Sequence, residues 1–171
     1  MKEESITFRL ATENDIDAVY RVMTEVYEAM ENKALFVCDD YDYVKNCILK
    51  SGFCVVACDG DLVVGDFIFR YPGLDADNLG RDLGLSESDL LKVIHTESCT
   101  VLPSYRGLGL QSRMLAFALS IIDSSRFSYL CATVSPDNPA SFKSLEKNGF
   151  KHMLTKEKYG GLMRRIYLKE I

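Results

Sequence analysis

The chain has 171 residues, 47% of them hydrophobic and 26% charged, with a formal net charge of −5. That size and balance are expected of a single globular domain, here residues 1–171. No apolar run approaches the roughly 20 residues of a membrane-spanning helix, and a net negative charge argues against nucleic acid, whose binding rests on Lys and Arg neutralising phosphates. Neither a membrane nor a nucleic acid is therefore expected as a partner. The start, Met1 to Ser5, lacks the apolar stretch of a secretory signal, so the cytoplasm is the expected compartment.

Residues 5–10 alternate polar and apolar, which predicts a half-buried strand with Ile6, Phe8 and Leu10 inward. Thr12 offers an N-cap to a helix carried to about Asn32 by Ile16, Val19, Met23, Val26, Tyr27 and Met30. A short helix follows through Tyr43, Val44, Cys47, Ile48 and Leu49, closed by Ser51-Gly52 as a C-cap. Phe53 to Cys58, Asp59-Gly60 and Leu62 to Tyr71 predict a hairpin. Residues 72–90 read as a long loop with one short helix at 86–91, and loops of that length are usually functional or mobile.

A strand is predicted from Lys92 to Leu102, halted by Pro103. A helix spans 110–122, a strand Tyr129 to Val134 and a helix Ser141 to Lys147. Strands near 151–155 and 162–169 close the chain. The order β-α-α-β-β, then β-α-β-α-β-β, predicts an α/β (α+β) domain: a mixed, mostly antiparallel sheet of about seven strands with helices on both faces.

The six cysteines, 38, 47, 54, 58, 99 and 131, fall in helix- or strand-like segments, where a reduced thiol behaves as a small hydrophobe. Cys54 and Cys58 have neither a second pair nor histidines at zinc spacing, so no metal is expected.

The stretch Val101-Leu-Pro-Ser-Tyr-Arg-Gly-Leu-Gly-Leu-Gln-Ser-Arg is a strand that ends, a glycine turn and a helix that begins. A helix start presents unpartnered N–H groups at the positive end of its dipole, and Gly107 and Gly109 permit close backbone approach to an anion. A merely structural turn would use the same residues. A Walker A loop is excluded because Gly-Lys-Ser/Thr is absent. A dinucleotide fingerprint would need glycine at Ser112 and an acidic residue ending the next strand.

Arg106-Gly107-Leu108-Gly109-Leu110-Gln111, preceded by Val101-Leu-Pro103, resembles the Arg/Gln-x-x-Gly-x-Gly/Ala cofactor motif of the GNAT (GCN5-related N-acetyltransferase) superfamily. Asn138, followed by a helix ending Glu146-Lys147-Asn148-Gly149-Phe150, resembles its second motif. The resemblance is close from about Val93 to Phe150 and implies acetyl-CoA as co-substrate. By that resemblance the backbone of Cys99, Thr100 and Val101 pairs with the pantetheine arm, and Arg106 with the amides from Leu108 to Gln111 holds the pyrophosphate. Asn138, with Ser141 where its helix is expected to begin, would touch the arm from the other side. Gln111 departs from the family's Gly or Ala, and Leu145 stands where many members carry a tyrosine that protonates the leaving thiolate.

Amide formation needs an acceptor for the ammonium proton and a donor for the oxyanion; the resemblance makes Val101 N–H that donor. Period-two geometry puts His95, Glu97 and Cys99 on one strand face and Thr96, Ser98 and Thr100 on the other, unless a bulge shifts the phase. Glu97 or His95 is the candidate base, against a purely structural polar network. Tyr159, before Gly160-Gly161, is a candidate acid or substrate contact, against a structural turn aromatic. Asp39, Asp40 and Asp42 either attract a cationic amine or form a solvated turn. The expected function is acetyl transfer to a primary amine of a small molecule or peptide by direct attack, with a non-catalytic acyl-CoA-binding module as the alternative. Oligomeric state, a homodimer included, is open.

Overall fold

The strand that carries the glycine turn is the central one of seven in the computed structural model, which describes residues 5–171. The strands are β1 (Ile6–Leu10), β2 (Gly52–Asp59), β3 (Leu62–Arg70), β4 (Val93–Val101), β5 (Tyr129–Val134), β6 (Lys151–Lys158) and β7 (Leu162–Glu170). They pair in the order β1-β2-β3-β4-β5-β7-β6. β4 and β5 pair parallel, whereas β1 with β2, β2 with β3, β5 with β7 and β6 with β7 pair antiparallel. This is the mixed, mostly antiparallel sheet with helices that the sequence predicts. The helices are α1 (Ile16–Glu28), α2 (Tyr41–Asn46), α3 (Leu79–Asp82), α4 (Glu87–Leu90), α5 (Leu110–Ile121) and α6 (Pro139–Lys147).

The chain divides into two compact units. The first takes the described part of Met1–Glu31 with Cys38–Arg70 and Ser98–Ile121; the second takes Asn32–Val37, Tyr71–Glu97 and Ile122–Ile171. In the first unit, residues 54–58 of β2 and 63–70 of β3 are buried without interruption. Successive strand residues point to opposite faces, so both faces of this hairpin are covered. Helix α1 packs on β3, and α5 packs on both β2 and β3. Gly60 supplies the left-handed residue of the hairpin turn, at φ 58°, and Asp59 pairs with Leu62 across it.

Two boundaries differ from the sequence reading here. Helix α1 is preceded by a tight turn at Glu13–Asp15, where Asp15 accepts the Thr12 amide at 2.7 Å and grips Arg9 through two bonds of 2.8 and 2.7 Å. It stops at Glu28 rather than Asn32, because Asn32 caps the next turn by accepting from Ala34 N at 3.0 Å. Gly52 is not the left-handed cap expected after α2, which instead continues as a wide turn over Cys47–Ser51. Its φ is 177°, extended backbone, and a Cβ there would sit 1.8 Å from the Phe69 carbonyl oxygen. Close strand approach, not turn geometry, requires this glycine.

In the second unit, Leu79, Val93, Cys131 and Ile166 form a core, flanked by Leu83, Leu85, Tyr129, Leu154 and Leu168. Helix α3 lies inside the predicted loop. Its N-cap Asn78 is almost fully buried and fully engaged: Oδ1 accepts from Gly80 N at 2.9 Å, while Nδ2 donates to Gly73 O at 2.7 Å and Leu90 O at 3.1 Å. Helix α4 is the short helix expected near 86–91, with Ser86 as its cap. Helix α6 starts at Pro139, earlier than the predicted Ser141, because proline suits the first helical position and Asn138 is the cap. Among the described residues no helix is long and apolar enough to cross a membrane.

Candidate active site

In the first unit the turn after β4 leads directly into a helix start. Pro103–Tyr105 make a tight turn, anchored where Tyr105 Oη donates to Asp59 Oδ2 at 2.9 Å. Gly107 and Gly109 then take φ of 83° and 65°, conformations that side chains rarely adopt, and a Cβ on either would meet no atom within 4 Å. Backbone conformation, not crowding, selects these glycines, and the space above them is open. Helix α5 begins at once with Leu110, so the amides of its first turn have no partner within the helix. Arg106 is exposed beside the turn. Gln111 lies within the first turn of α5 without interrupting it, so the departure from Gly or Ala leaves the helix start intact. Unpartnered amides at a helix start beside an exposed arginine favour an anion.

From Glu97 onward β4 alternates as period two requires: Glu97, Cys99 and Val101 are half-buried, Ser98 and Thr100 buried. Thr100 Oγ1 donates to Asp66 Oδ2, a carboxylate on β3 with no exposure at all. Burial pushes Asp66 up to about 7. Burial also holds the Cys99 thiol well above its usual range, with the Asp66 charge adding to the effect.

In the second unit His95 and Glu97 meet on one strand face, His95 Nδ1 to Glu97 Oε1 at 3.3 Å. The backbone amide of Leu79 donates to His95 Nε2 at 2.9 Å. An amide only donates, so Nε2 is the acceptor and the neutral ring carries its proton on Nδ1, directed at Glu97. The lone pair that would make His95 a base is already committed. Tyr159 lies in the β6–β7 turn at φ 51°, the only non-glycine with positive φ among the described residues, followed by Gly160 and Gly161 at 75° and 119°. Its hydroxyl shares a hydrogen bond with Thr133 Oγ1 at 3.0 Å. Desolvation raises its pKa, Thr133 and Arg164 oppose that, and the Glu97 charge adds to it, so the phenol keeps its proton at neutral pH.

The remaining predicted residues fall as follows. Asn138 Oδ1 accepts from Ser141 N at 3.1 Å, which makes the pair a helix cap. Asp40 caps α2 by accepting from Tyr43 N at 2.8 Å. Leu145 is buried in α6. Three residues that matter escaped the sequence reading: Asn78, Asp66 and Arg164. Arg164 left a signal, since period two puts it in phase with Leu162, Ile166 and Leu168 on a strand's inward face; Asp66 is a lone carboxylate in the apolar run Val63 to Phe69.

The model of the acetyltransferase (GNAT) family matches residues 16–150. The chain belongs to the GNAT family. It is accordingly an acyltransferase, with acetyl-CoA as its co-substrate. Solved structures share the GNAT fold at low identity. The ribosomal-protein-S18-alanine N-acetyltransferase of Escherichia coli is 14% identical with a TM-score of 0.73, covering 97% of this chain and 94% of that one. The Salmonella typhimurium protein yncA, solved with its cofactor acetyl-CoA, is 18% identical with a TM-score of 0.67, covering 96% and 93%. Aminoglycoside acetyltransferase AAC(6')-Ib, in complex with coenzyme A and kanamycin, is 18% identical with a TM-score of 0.70, covering 97% and 95%. No curated protein matches the sequence.

Proposed function

We propose that this GNAT member transfers an acetyl group from acetyl-CoA to a primary amine by direct attack, in the cytoplasm. When bound, the co-substrate supplies an activated thioester. The turn from Arg106 to Gln111 would hold its pyrophosphate, and the β4 backbone from Cys99 to Val101 its pantetheine arm. Val101 N–H would donate to the carbonyl oxygen as charge develops there.

The observation that carries direct attack is on β4 itself. Glu97 is a partly exposed carboxylate fixed by His95, whereas the nearby thiol of Cys99 is held protonated by burial. A thiol kept from ionising is a poor nucleophile, which disfavours an acyl-cysteine route. Glu97 would take the ammonium proton, directly or through water, and His95 would orient it. Tyr159 replaces the tyrosine missing at Leu145 as the proton donor. The neighbours' acceptors, a ribosomal protein's alanine and kanamycin, differ widely, so the fold leaves the amine open.

The test is acetyl-CoA consumption against a panel of amino acids, peptides, polyamines and aminoglycosides, with coenzyme A and product resolved by chromatography because the protein's own thiols would react with a thiol dye. Acetylated product is expected. Tight acetyl-CoA binding without product from any acceptor would favour the non-catalytic acyl-CoA-binding module.

A further inference from the structure

Arg164 is a buried cation for which the described residues supply no carboxylate. Its residue is 3% exposed. Nη1 donates to the Met163 carbonyl at 3.1 Å and Nη2 to the Ala34 carbonyl at 2.8 Å. The guanidinium lies 6.0 Å from the centre of the Tyr159 ring. Carbonyls and a ring face satisfy N–H groups, but they do not neutralise the charge, and a buried unpaired ion costs several kcal/mol. Burial accordingly lowers the pKa of Arg164, although a guanidinium stays protonated at any working pH.

The neighbouring charges sharpen the imbalance. Lys156 pairs directly with Arg164 across β6 and β7, so the two cations share a sheet face. Lys156 has a carboxylate, Asp82, at 2.7 Å, and Lys158 shares the same carboxylate at 2.6 Å. One anion thus answers both lysines, and Arg164 is left over. Like charges set opposite each other in a sheet are destabilising unless something offsets them.

Tyr159 links this cation to the candidate base. Its ring covers the guanidinium, its hydroxyl reaches Thr133, and its pKa responds to the Glu97 charge. About half of the Tyr159 surface is open, on a turn of three consecutive positive-φ residues ending in two glycines. Glu97 and Arg164 thus both act on the Tyr159 hydroxyl, so a ligand beside it would feel both charges.

We infer that Arg164 is a specificity-determining residue that receives the α-carboxylate of the acceptor, so that the acceptor is a free amino acid whose amine faces Glu97. The inference rests on the acetyl transfer proposed above. A guanidinium and a carboxylate match in charge and planar geometry and bond in pairs. A polyamine or an aminoglycoside would bring further cations to Arg164, and a peptide N-terminus would bring a neutral amide where the carboxylate belongs.

Two measurements separate this inference from the activity it rests on. The first is calorimetric binding, to the coenzyme A-saturated protein, of a set of N-acetyl-amino acids, each beside its primary amide. At least one acid is expected to bind on the order of tenfold or more tightly than its amide. Arg164→Gln should abolish that difference and Arg164→Lys should retain part of it. Equal binding of acids and amides, no binding of any acid, or an undiminished preference in Arg164→Gln would overturn the assignment. Should Arg164→Gln fail to fold by circular dichroism, the acid-to-amide ratio of the unaltered protein and the Lys variant decide. The second measurement is acetyl transfer to the same amino acids, their amides and cationic amines. Transfer to cationic amines and amides as fast as to acids would also overturn the inference while leaving the acetyltransferase reading intact. Acid-selective binding without transfer to any amine would uphold the carboxylate site and sink that reading instead.

Discussion

Asp66 sits mid-strand where both faces are covered, and its Oδ1 has no hydrogen-bond partner among the described residues. Its carboxyl titrates at about 7 in the native protein, whereas an unfolded aspartate titrates at about 4. Between those values the native state binds the extra proton, so stability is greatest below about pH 4 as far as this group goes and is lost as pH rises through about 7. The slope is at most about 1.4 kcal/mol per pH unit. Asp66→Asn mimics the protonated form and keeps an acceptor for Thr100, so it should flatten this decline. Chemical denaturation at intervals from pH 5 to 8 checks it, and parallel profiles for the two proteins would deny Asp66 the role. Glu97 makes the complementary residue-scale case. Glu97→Gln should lower turnover by roughly 10²- to 10⁴-fold at neutral pH with acetyl-CoA affinity retained, and the loss should shrink at high pH, where the amine is already neutral. A loss of the same size at every pH would reduce Glu97 to a structural partner of His95.

The segment from Tyr71 to Lys92 is organised by one side chain rather than by periodicity. Asn78 ties Gly73, Gly80 and Leu90 together, and α3, which it caps, delivers the Leu79 amide to His95. Asn78→Ala leaves carbonyls unpaired in a buried setting and should cost about 1–3 kcal/mol. It should also free His95 Nε2, so that nuclear magnetic resonance of the ring nitrogens reports a mixed tautomer in place of a single one; an unchanged tautomer would mean that α3 survives without its cap. This segment also marks where the sequence ran out. Strands β2 to β5, with α5 and its glycine turn, were legible because period two, period 3.6 and left-handed glycines are local properties written in neighbouring residues. A four-residue helix such as α3 has too few turns to show a period. Asn78 earns its place through Leu90, twelve residues away, and Arg164 through Ala34, which no local pattern encodes. The glycine turn could be read from residues side by side, whereas the joining of Tyr159 to Thr133 and Arg164 depends on strand pairing, so only Tyr159 itself was visible.

At the scale of the whole chain, the six cysteines offer a probe of how co-substrate binding stabilises the fold. Cys47, Cys54, Cys58 and Cys131 are buried, and burial raises the pKa of Cys54, Cys58 and Cys131, the last to about 12. Cys99 is part-exposed but held protonated. Thiolate is the reactive form, so Cys38, part-exposed, should label first with a thiol reagent, and the buried cysteines should label only as fast as the fold opens. Anything that binds the native state alone lowers the open population by the factor 1 + [L]/Kd, about 100-fold at 100 times Kd. Coenzyme A should therefore slow labelling of Cys47 and Cys54, in the unit that holds the Arg106 to Gln111 turn, while leaving Cys38 unchanged. Arg106→Ala, which removes an exposed cation without touching the core, should shift this protection to higher coenzyme A concentration and leave the rate without ligand as it was. Mass spectrometry of the labelled peptides reads each cysteine separately. Protection that is indifferent to Arg106 would place the pyrophosphate elsewhere, and no protection at any coenzyme A concentration would mean that the turn after β4 is structural.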